Sequence, residues 1–408
     1  MESVRSQFPA LARLHDGHPV AYFDGPGGTQ VPSAVVDAIS DYLLNHNANT
    51  HWAYPSSRET DALLHDARQV CATFLNAPGP EWVSFGQNMT TITFHLARAL
   101  ARQWHAGDEI VVTELDHHGN VDPWRDAAEE RGLTVRTVPL AADRASLDMD
   151  ALASLLTPRT RLLAIGAASN AIGTISDVAA AARLARDARA LVFVDAVHYA
   201  PHELVDVQAI GCDMLACSAY KFYGPHQGVL CARPDLIAAL RLPRLRPAPA
   251  APPDALETGT QSHEGIVGVA AAVRFLASIG GPPAADGASL RRALVAGHAR
   301  LHAESARLTQ QLWDGLGAIR GVTRFGLPPG QPRTPTVSFV LEGMTSHVVA
   351  ARLVDDGLFV SSGDFYAQTL VERLGHASDG LVRIGAACYT TSGEIDRLLV
   401  AVDRIASA

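Results

Sequence analysis

The most reactive arrangement in the sequence is a lysine that directly follows an apolar segment. Lys221 lies within the run SAYKFYGP at positions 218–225, after a strand predicted over Met214–Ser218. A lysine at the end of a buried strand is partly desolvated, and desolvation lowers the pKa of its amine. The neutral amine can attack an aldehyde and form a Schiff base. The alternative is an ordinary strand-end lysine whose amine reaches solvent.

A carboxylate ends a second apolar segment, upstream of the lysine. Asp195 is the last residue of the predicted strand Leu191–Asp195. Ligands of open α/β sheets bind at the carboxyl ends of the strands. An aspartate in this place is often only a helix N-cap. Together with Lys221, however, it indicates an anion that keeps the pyridine nitrogen of a cofactor protonated, so that the ring accepts electrons.

Two adjacent histidines follow a third predicted strand, Glu109–Thr113. His117 and His118 belong to the run ELDHHGN at positions 114–120. A metal site needs further ligands at a recognised spacing, and the sequence repeats no such spacing. We therefore predict no metal, and we expect an imidazole to pack flat over a planar cofactor.

Two glycine-containing turns are candidates for binding phosphate. The run GPGGTQ at 25–30 lacks the G-x-G-x-x-G spacing, and Pro26 has no backbone N–H to donate, so we predict a tight turn in a pocket wall. The run GQNMTT at 86–91 lies between a strand and a helix, where free N–H groups and the helix dipole attract phosphate. This second turn is the better candidate, although most strand-to-helix turns look like it.

The elements that must position these residues alternate along the first part of the chain. The predicted strands are Trp82–Phe85, Glu109–Thr113, Thr134–Val138, Leu162–Ala167, Leu191–Asp195, Met214–Ser218 and Gly228–Ala232. Helical patterns over Thr90–Trp104, Pro123–Arg131 and Val178–Ala188 separate some of them. Alternation at this spacing predicts an α/β domain with a mainly parallel sheet.

The amino-acid composition changes near residue 243, where five prolines fall within eleven residues. Longer helices follow at Ile266–Ile279 and Ser289–Leu316, then strands at Thr336–Leu341 and Val382–Ala387, and a terminal helix from Ser392. This part predicts a smaller α+β domain. We place the large domain at 20–265 and assign 1–19 and 266–408 to the small one.

Composition excludes several classes of protein. The 408 residues are 48 % hydrophobic, enough for a large core, which excludes a disordered chain. The net charge is −9 and no long Lys/Arg run occurs, so we expect no nucleic acid or membrane surface as a partner. The five scattered cysteines form no C-x-x-C pair. No stretch approaches the ~18 apolar residues of a membrane span, and we expect a cytoplasmic protein.

Taken in order, these motifs resemble those of pyridoxal-phosphate (PLP) enzymes of fold type I, in the cysteine desulfurase-like branch of the class V aminotransferase family. The resemblance runs from YFD at 22–24 to the strand that carries Arg383. It implies PLP as the cofactor, an α-amino acid as the substrate and a homodimer. It also implies a large domain with a mainly parallel sheet and a smaller α+β C-terminal domain.

The resemblance also implies roles for single residues. Lys221 would bind the cofactor covalently and then act as a base, Asp195 would hold the pyridine nitrogen, and His117 would stack on the ring. Arg383 would bind the substrate carboxylate through paired hydrogen bonds. Further cofactor contacts are implied for Asn88, Met89 and Ser218 at the phosphate, Asn170 and His198 at the phenolic oxygen, and Thr260 at the phosphate of a second subunit.

The chain departs from the family pattern at three places. Tyr220 stands where the family usually has histidine, a place that implies a contact to the cofactor phosphate, and Asp116 stands where the family has glutamate. Desulfurases of this family carry a persulfide-forming cysteine on a loop, whereas residues 361–381 contain no cysteine. Cys388 lies beyond the strand of Arg383, and we expect it to pack as a small hydrophobic residue.

The missing cysteine favours a direct lyase, aminotransferase or epimerase reaction on an amino acid. Tyr366 or His51 could supply the acid for it, although both could simply line the pocket. Two alternatives remain open. One is a true cysteine desulfurase or selenocysteine lyase, and the other is a catalytically silent PLP-binding scaffold.

Overall fold

The central element of the computed structural model, which describes residues 2–281 and 287–407, is a seven-stranded sheet. Its strands, in chain order, are β1 Val83–Gly86, β2 Glu109–Thr113, β3 Thr134–Val138, β4 Thr160–Gly166, β5 Leu191–Asp195, β6 Met214–Ser218 and β7 Gly228–Ala232. The spatial order is β1-β7-β6-β5-β4-β2-β3. All neighbours pair in parallel except β7, which is antiparallel to β6 and β1. The predicted α/β fold with a mainly parallel sheet is confirmed.

Five of these strands have the predicted bounds, and β1 and β4 are shifted by one or two residues. The prediction succeeded because the strands are covered on both faces, which requires apolar side chains at successive positions. In β5, Phe193 packs with Trp124 on one face of the sheet, whereas Val192 and Val194 belong to the core on the other face.

A second, four-stranded antiparallel sheet carries the C-terminal part of the site. Its strands are β8 Val322–Phe325, β9 Thr336–Leu341, β10 Ser361–Gly363 and β11 Leu381–Gly385, in the spatial order β8-β9-β11-β10. The strand β9 was predicted with these bounds, β11 is displaced from the predicted range, and β8 and β10 were not predicted. The predicted domain boundaries remain a prediction.

Short strands join the N-terminal segment to this region. Ala21–Tyr22 pairs in parallel with Leu358–Phe359, and Leu14–His15 pairs with His18–Pro19. The α-helices are Glu2–Arg5, Ser33–Asp41, Pro55–Leu75, Met89–Ala101, Asp122–Arg131, Met149–Leu155, Val178–Asp187, Val207–Ile210, Pro234–Ala239, His263–Gly280, Gly287–Ala318, Ser346–Val354, Gln368–Leu374 and Ser392–Ala406.

Among residues 2–281 and 287–407, one helix, His263–Gly280, is long and apolar enough to cross a membrane. Within the protein 61 % of it is buried, and it packs against the helices Ser33–Asp41 and Pro55–Leu75. Its residues Ile266 and Val269 belong to the same apolar core as the central sheet. The apolar character of this helix is therefore accounted for by its place in the core.

Candidate active site

A cavity of about 840 Å³ opens where the carboxyl ends of three parallel strands face the second sheet. Gly166, Asp195 and Ser218 end β4, β5 and β6, and Arg383 reaches the cavity from β11. The structure brings eleven of the residues named from the sequence to its wall, namely Asn88, Met89, His117, Asn170, Asp195, His198, Ser218, Tyr220, Lys221, Tyr366 and Arg383.

Lys221 lies in a 3-10 turn, Ala219–Lys221, that directly follows β6. Its amine donates hydrogen bonds to the carbonyls of Pro26 and Gly27, the latter at 2.9 Å. Burial and the positive charge of Arg383 lower the pKa of the amine to about 8. Both features favour a nucleophilic amine. The predicted role of the GPGGTQ turn as a pocket wall is confirmed, since Pro26 and Gly27 line the cavity.

Lys221 is also the only lysine in the chain, and the other 32 of the 33 basic residues of the Lys and Arg types are arginines. This feature did not enter the prediction from the sequence. It removes every competing side-chain amine, so any chemistry that requires one must use Lys221.

Two buried aspartates, Asp195 and Asp116, lie near the carboxyl ends of the parallel strands. Asp195 accepts a hydrogen bond from the backbone N–H of Val197 at 2.9 Å, and burial raises its pKa to about 6. Asp116 accepts hydrogen bonds from the backbone N–H of Gly166 at 2.7 Å and from Asn120 at 2.9 Å. Burial and the charge of Asp195 raise the pKa of Asp116 to about 8. Of the two, Asp195 has the lower pKa and gives up its proton first.

His117 follows the second of these aspartates and faces the cavity. Its Nδ1 accepts a hydrogen bond from the backbone N–H of Gly119 at 2.8 Å, which places the proton of the neutral ring on Nε2. Burial, together with the charge of Lys221, lowers its pKa to about 4, so the ring is neutral at pH 7. The ring lies 5.5 Å from that of Tyr366.

The N-terminus of the helix Met89–Ala101 borders the cavity at the predicted phosphate end. Asn88 caps this helix by accepting a hydrogen bond from the N–H of Thr91 at 2.9 Å. The N–H of Met89 donates to the hydroxyl of Ser218 at 3.0 Å. Gly228 allows this close approach, because a Cβ there would lie 2.7 Å from the backbone of Asn88.

Asn170 and His198 also line the cavity. Asn170 donates its side-chain N–H to the carbonyl of Phe365 at 2.9 Å, and its buried Oδ1 has no hydrogen-bond partner among the described residues. His198 Nε2 lies 3.0 Å from the hydroxyls of both Thr334 and Thr336. A buried oxygen without a donor is costly, so Asn170 Oδ1 indicates a ligand that supplies one.

Arg383 is buried and held in a fixed orientation. It pairs with Asp24 at 2.7 Å, donates to the carbonyl of Asn170 at 3.1 Å and to the hydroxyl of Ser361 at 3.2 Å. The ring of Phe365 lies 4.1 Å from its guanidinium carbon. Sequence reasoning did not identify these partners, which come from distant parts of the chain.

The loop that carries Phe365 and Tyr366 lines the cavity. Phe365 and Tyr366 both have positive φ, 57° and 58°, a conformation that is uncommon for residues other than glycine. The carbonyl of Tyr366 accepts a hydrogen bond from the N–H of His118 at 2.6 Å, while the residue as a whole is 74 % exposed. The phenol is therefore largely exposed to solvent and has the ring of His117 as its neighbour.

Two of the predicted site residues do not line the cavity of this chain. The side chain of His51 is 80 % exposed and lies 3.4 Å from Asp61. Thr260 is exposed, on the segment between Asp254–Leu256 and the helix His263–Gly280. Their roles remain predictions.

Comparisons with known proteins agree with this fold. The model of the aminotransferase class-V family matches residues 21–398. A probable cysteine desulfurase of Pseudomonas putida is 33 % identical over an alignment of 418 positions. The alignment covers 98 % of this chain and 97 % of the relative. A cysteine desulfurase of Klebsiella pneumoniae is also 33 % identical, over 99 % of this chain and 98 % of the relative.

Solved structures show the same similarity. The apo cysteine desulfurase of Thermococcus onnurineus superposes with a TM-score of 0.88 at 26 % sequence identity. The superposition covers 100 % of this chain and 98 % of the Thermococcus chain. The Escherichia coli cysteine desulfurase CsdA, in an S-sulfonic acid form, gives 0.84 at 30 % identity, over 99 % and 97 % of the two chains.

The chain belongs to the class V aminotransferase family. Within that family it is an enzyme similar to the cysteine desulfurases, with the fold that their structures share.

Proposed function

We propose that the chain binds PLP in the 840 Å³ cavity and acts on an α-amino acid without forming a persulfide on a cysteine of its own. The residues present fit the cofactor. The cavity holds the only lysine of the chain, a buried aspartate, a neutral histidine and the helix N-terminus near Asn88, and the unpartnered Oδ1 of Asn170 can accept a hydrogen bond. When bound, PLP supplies an aldehyde for the lysine and a ring that accepts electrons.

The chain's own groups then have distinct tasks. The amine of Lys221, with its lowered pKa, attaches the cofactor and afterwards takes a proton from the substrate Cα. Asp195 would hold the proton on the ring nitrogen and His117 would cover the ring, since both line the cavity. Arg383, whose orientation is fixed by Phe365 and Ser361, would bind the substrate carboxylate in exchange for its present partner Asp24.

The positions of the five cysteines support the proposal that no persulfide forms on a cysteine of this chain. None of them lines the cavity. Cys388 is buried, and burial raises its pKa to about 12, as it does for Cys71 and Cys212. Burial also raises the pKa of the Cys217 and Cys231 thiols above the usual range. A thiol that is both protonated and remote from the substrate is a poor nucleophile.

The expected reaction is therefore of the lyase, aminotransferase or epimerase type, with Tyr366 as a candidate acid at the cavity mouth. With cysteine as the substrate, β-elimination would consume water and release sulfide, ammonia and pyruvate. Desulfurisation to alanine would instead require a sulfur acceptor. The localisation that we propose is the cytoplasm.

Incubation with cysteine tests this proposal directly. We expect alkylation and mass spectrometry to detect no persulfide on the enzyme, and we expect the Cys388→Ala variant to retain the activity of the parent enzyme. Product analysis over a panel of amino acids should identify the reaction. A persulfide at Cys388, with alanine formed and turnover abolished in Cys388→Ala, would restore the assignment as a desulfurase.

We also propose a homodimer in which Thr260 binds the phosphate of the cofactor in the partner subunit. The exposure of Thr260, away from the cavity of its own chain, is compatible with this role. Light scattering should show a dimer, and Thr260→Ala should bind PLP less tightly than Thr258→Ala, an exposed neighbour that serves as the control. A monomer with full cofactor occupancy would refute the proposal.

A further inference from the structure

A second cavity, of about 210 Å³, has in its wall His202, whose ring lies 5.3 Å from that of His198 in the active cavity. At roughly 30 Å³ per water molecule this is space for about seven waters, enough for a small polar ligand. Its wall includes His202, Glu203, His302, Ser305, Thr309 and Arg333.

The unusual member of this wall is Arg333, a buried arginine. Its guanidinium donates to the carbonyls of Thr334 at 3.3 Å, of Thr336 at 2.5 Å and of Leu327, and it lies 4.9 Å from the ring of Trp313. Two of its five N–H groups are left for a ligand. No carboxylate of residues 2–281 and 287–407 lies within ion-pair distance of it.

A buried cation without a counter-ion is unfavourable, which makes this site attractive to an anion. Burial lowers the pKa of Arg333 only to about 10, so the guanidinium keeps its charge at pH 7. The carboxylate in the wall, Glu203, pairs with another residue of the same wall, since it lies 2.9 Å from Nδ1 of His302.

We propose that this cavity binds a small tetrahedral oxyanion of the phosphate or sulfate type. Arg333 supplies the charge, and the imidazole of His202 and the hydroxyl of Ser305, which line the same cavity, supply further donors. The assignment does not depend on the reaction proposed for the active site.

The oxyanion site is connected to the active cavity through one short segment. Thr334 and Thr336 accept hydrogen bonds from Arg333 at their carbonyls, and their hydroxyls lie 3.0 Å from His198 Nε2. The rings of His198 and His202 are 5.3 Å apart, so these two histidines face the two cavities from adjacent positions. Oxyanion binding should therefore change the surroundings of His198.

The test uses the PLP-loaded enzyme, in which the cofactor's own phosphate site is filled, and sodium sulfate at constant ionic strength. Calorimetry should show saturable sulfate binding, accompanied by a higher melting temperature and a small shift of the cofactor absorbance band. Ala306→Trp, at an exposed position of the cavity wall, should weaken sulfate binding by about tenfold or more, because the indole fills the site.

Ala303→Trp provides the matched control, since Ala303 is exposed on the same helix and does not line the cavity. It should leave sulfate binding unchanged. Arg333→Met should abolish binding, with circular dichroism used to confirm that the variant is folded. The proposal is overturned if sulfate acts no differently from chloride, if Ala306→Trp binds sulfate as the parent does, or if acetate binds and sulfate does not.

Discussion

Replacing Lys221 with alanine should abolish covalent attachment of PLP and lower turnover by about 10²–10⁴-fold or more. No other side chain can take over, because the chain has no second lysine. After borohydride reduction of the parent enzyme, mass spectrometry should find the cofactor on the peptide that contains Lys221. The neighbouring variant Tyr220→Phe keeps the amine and serves as the control. An adduct on the N-terminal amine alone would contradict the assignment.

The lowered pKa of Lys221 adds a pH dependence to this prediction. The neutral amine is the reactive form, so the rate of PLP capture by the apoenzyme should rise with pH and level off near 8, the pKa of this amine. At pH 7 an amine with a pKa of about 8 is neutral roughly 300 times more often than one at the usual value near 10.5. Stopped-flow absorbance between pH 6 and about 11 would measure this profile. A rate that continued to rise up to pH 10 would show that the amine is not desolvated.

The positions of Lys221 and Asp195 could be predicted from the sequence because both directly follow apolar strands. Parallel strands place their carboxyl ends at one edge of the sheet, so residues that are remote in sequence meet there without any knowledge of tertiary contacts. The bounds of β5 and β6 were also predictable, since strands buried on both faces consist of continuous apolar residues.

Other parts of the site depend on tertiary contacts and carry no local signal. The strand β10 has the sequence SSG, which has little intrinsic preference for a strand, and it forms through its pairing with β11. The pair between Arg383 and Asp24 joins residues 359 positions apart. The left-handed backbone of Phe365 and Tyr366 could not be predicted either, because neither residue is the glycine that usually adopts this conformation.

Asp195→Asn is expected to have the second largest effect. The buried carboxylate makes a charge-assisted hydrogen bond to the proton on the ring nitrogen, whereas a neutral amide cannot hold a proton there. Loss of such a bond costs about 1.5–3 kcal/mol, which corresponds to about 10–150-fold weaker PLP binding. Turnover should fall further, since an unprotonated ring is a weaker electron acceptor.

The pKa values of the two aspartates give this prediction a pH signature. Asp195 has the lower pKa of the two, about 6 against about 8 for Asp116, so it loses its proton first and presents the negative charge to the cofactor. As the pH falls through about 6, Asp195 takes up a proton and PLP retention should weaken toward that of Asp195→Asn, which lacks this transition. Asp177→Asn alters only the cap of the helix Val178–Asp187 and is the matched control, because it leaves the charge at the site unchanged. Equilibrium dialysis followed by cofactor absorbance would measure retention in the three proteins, and near-normal turnover in Asp195→Asn would remove this residue from the mechanism.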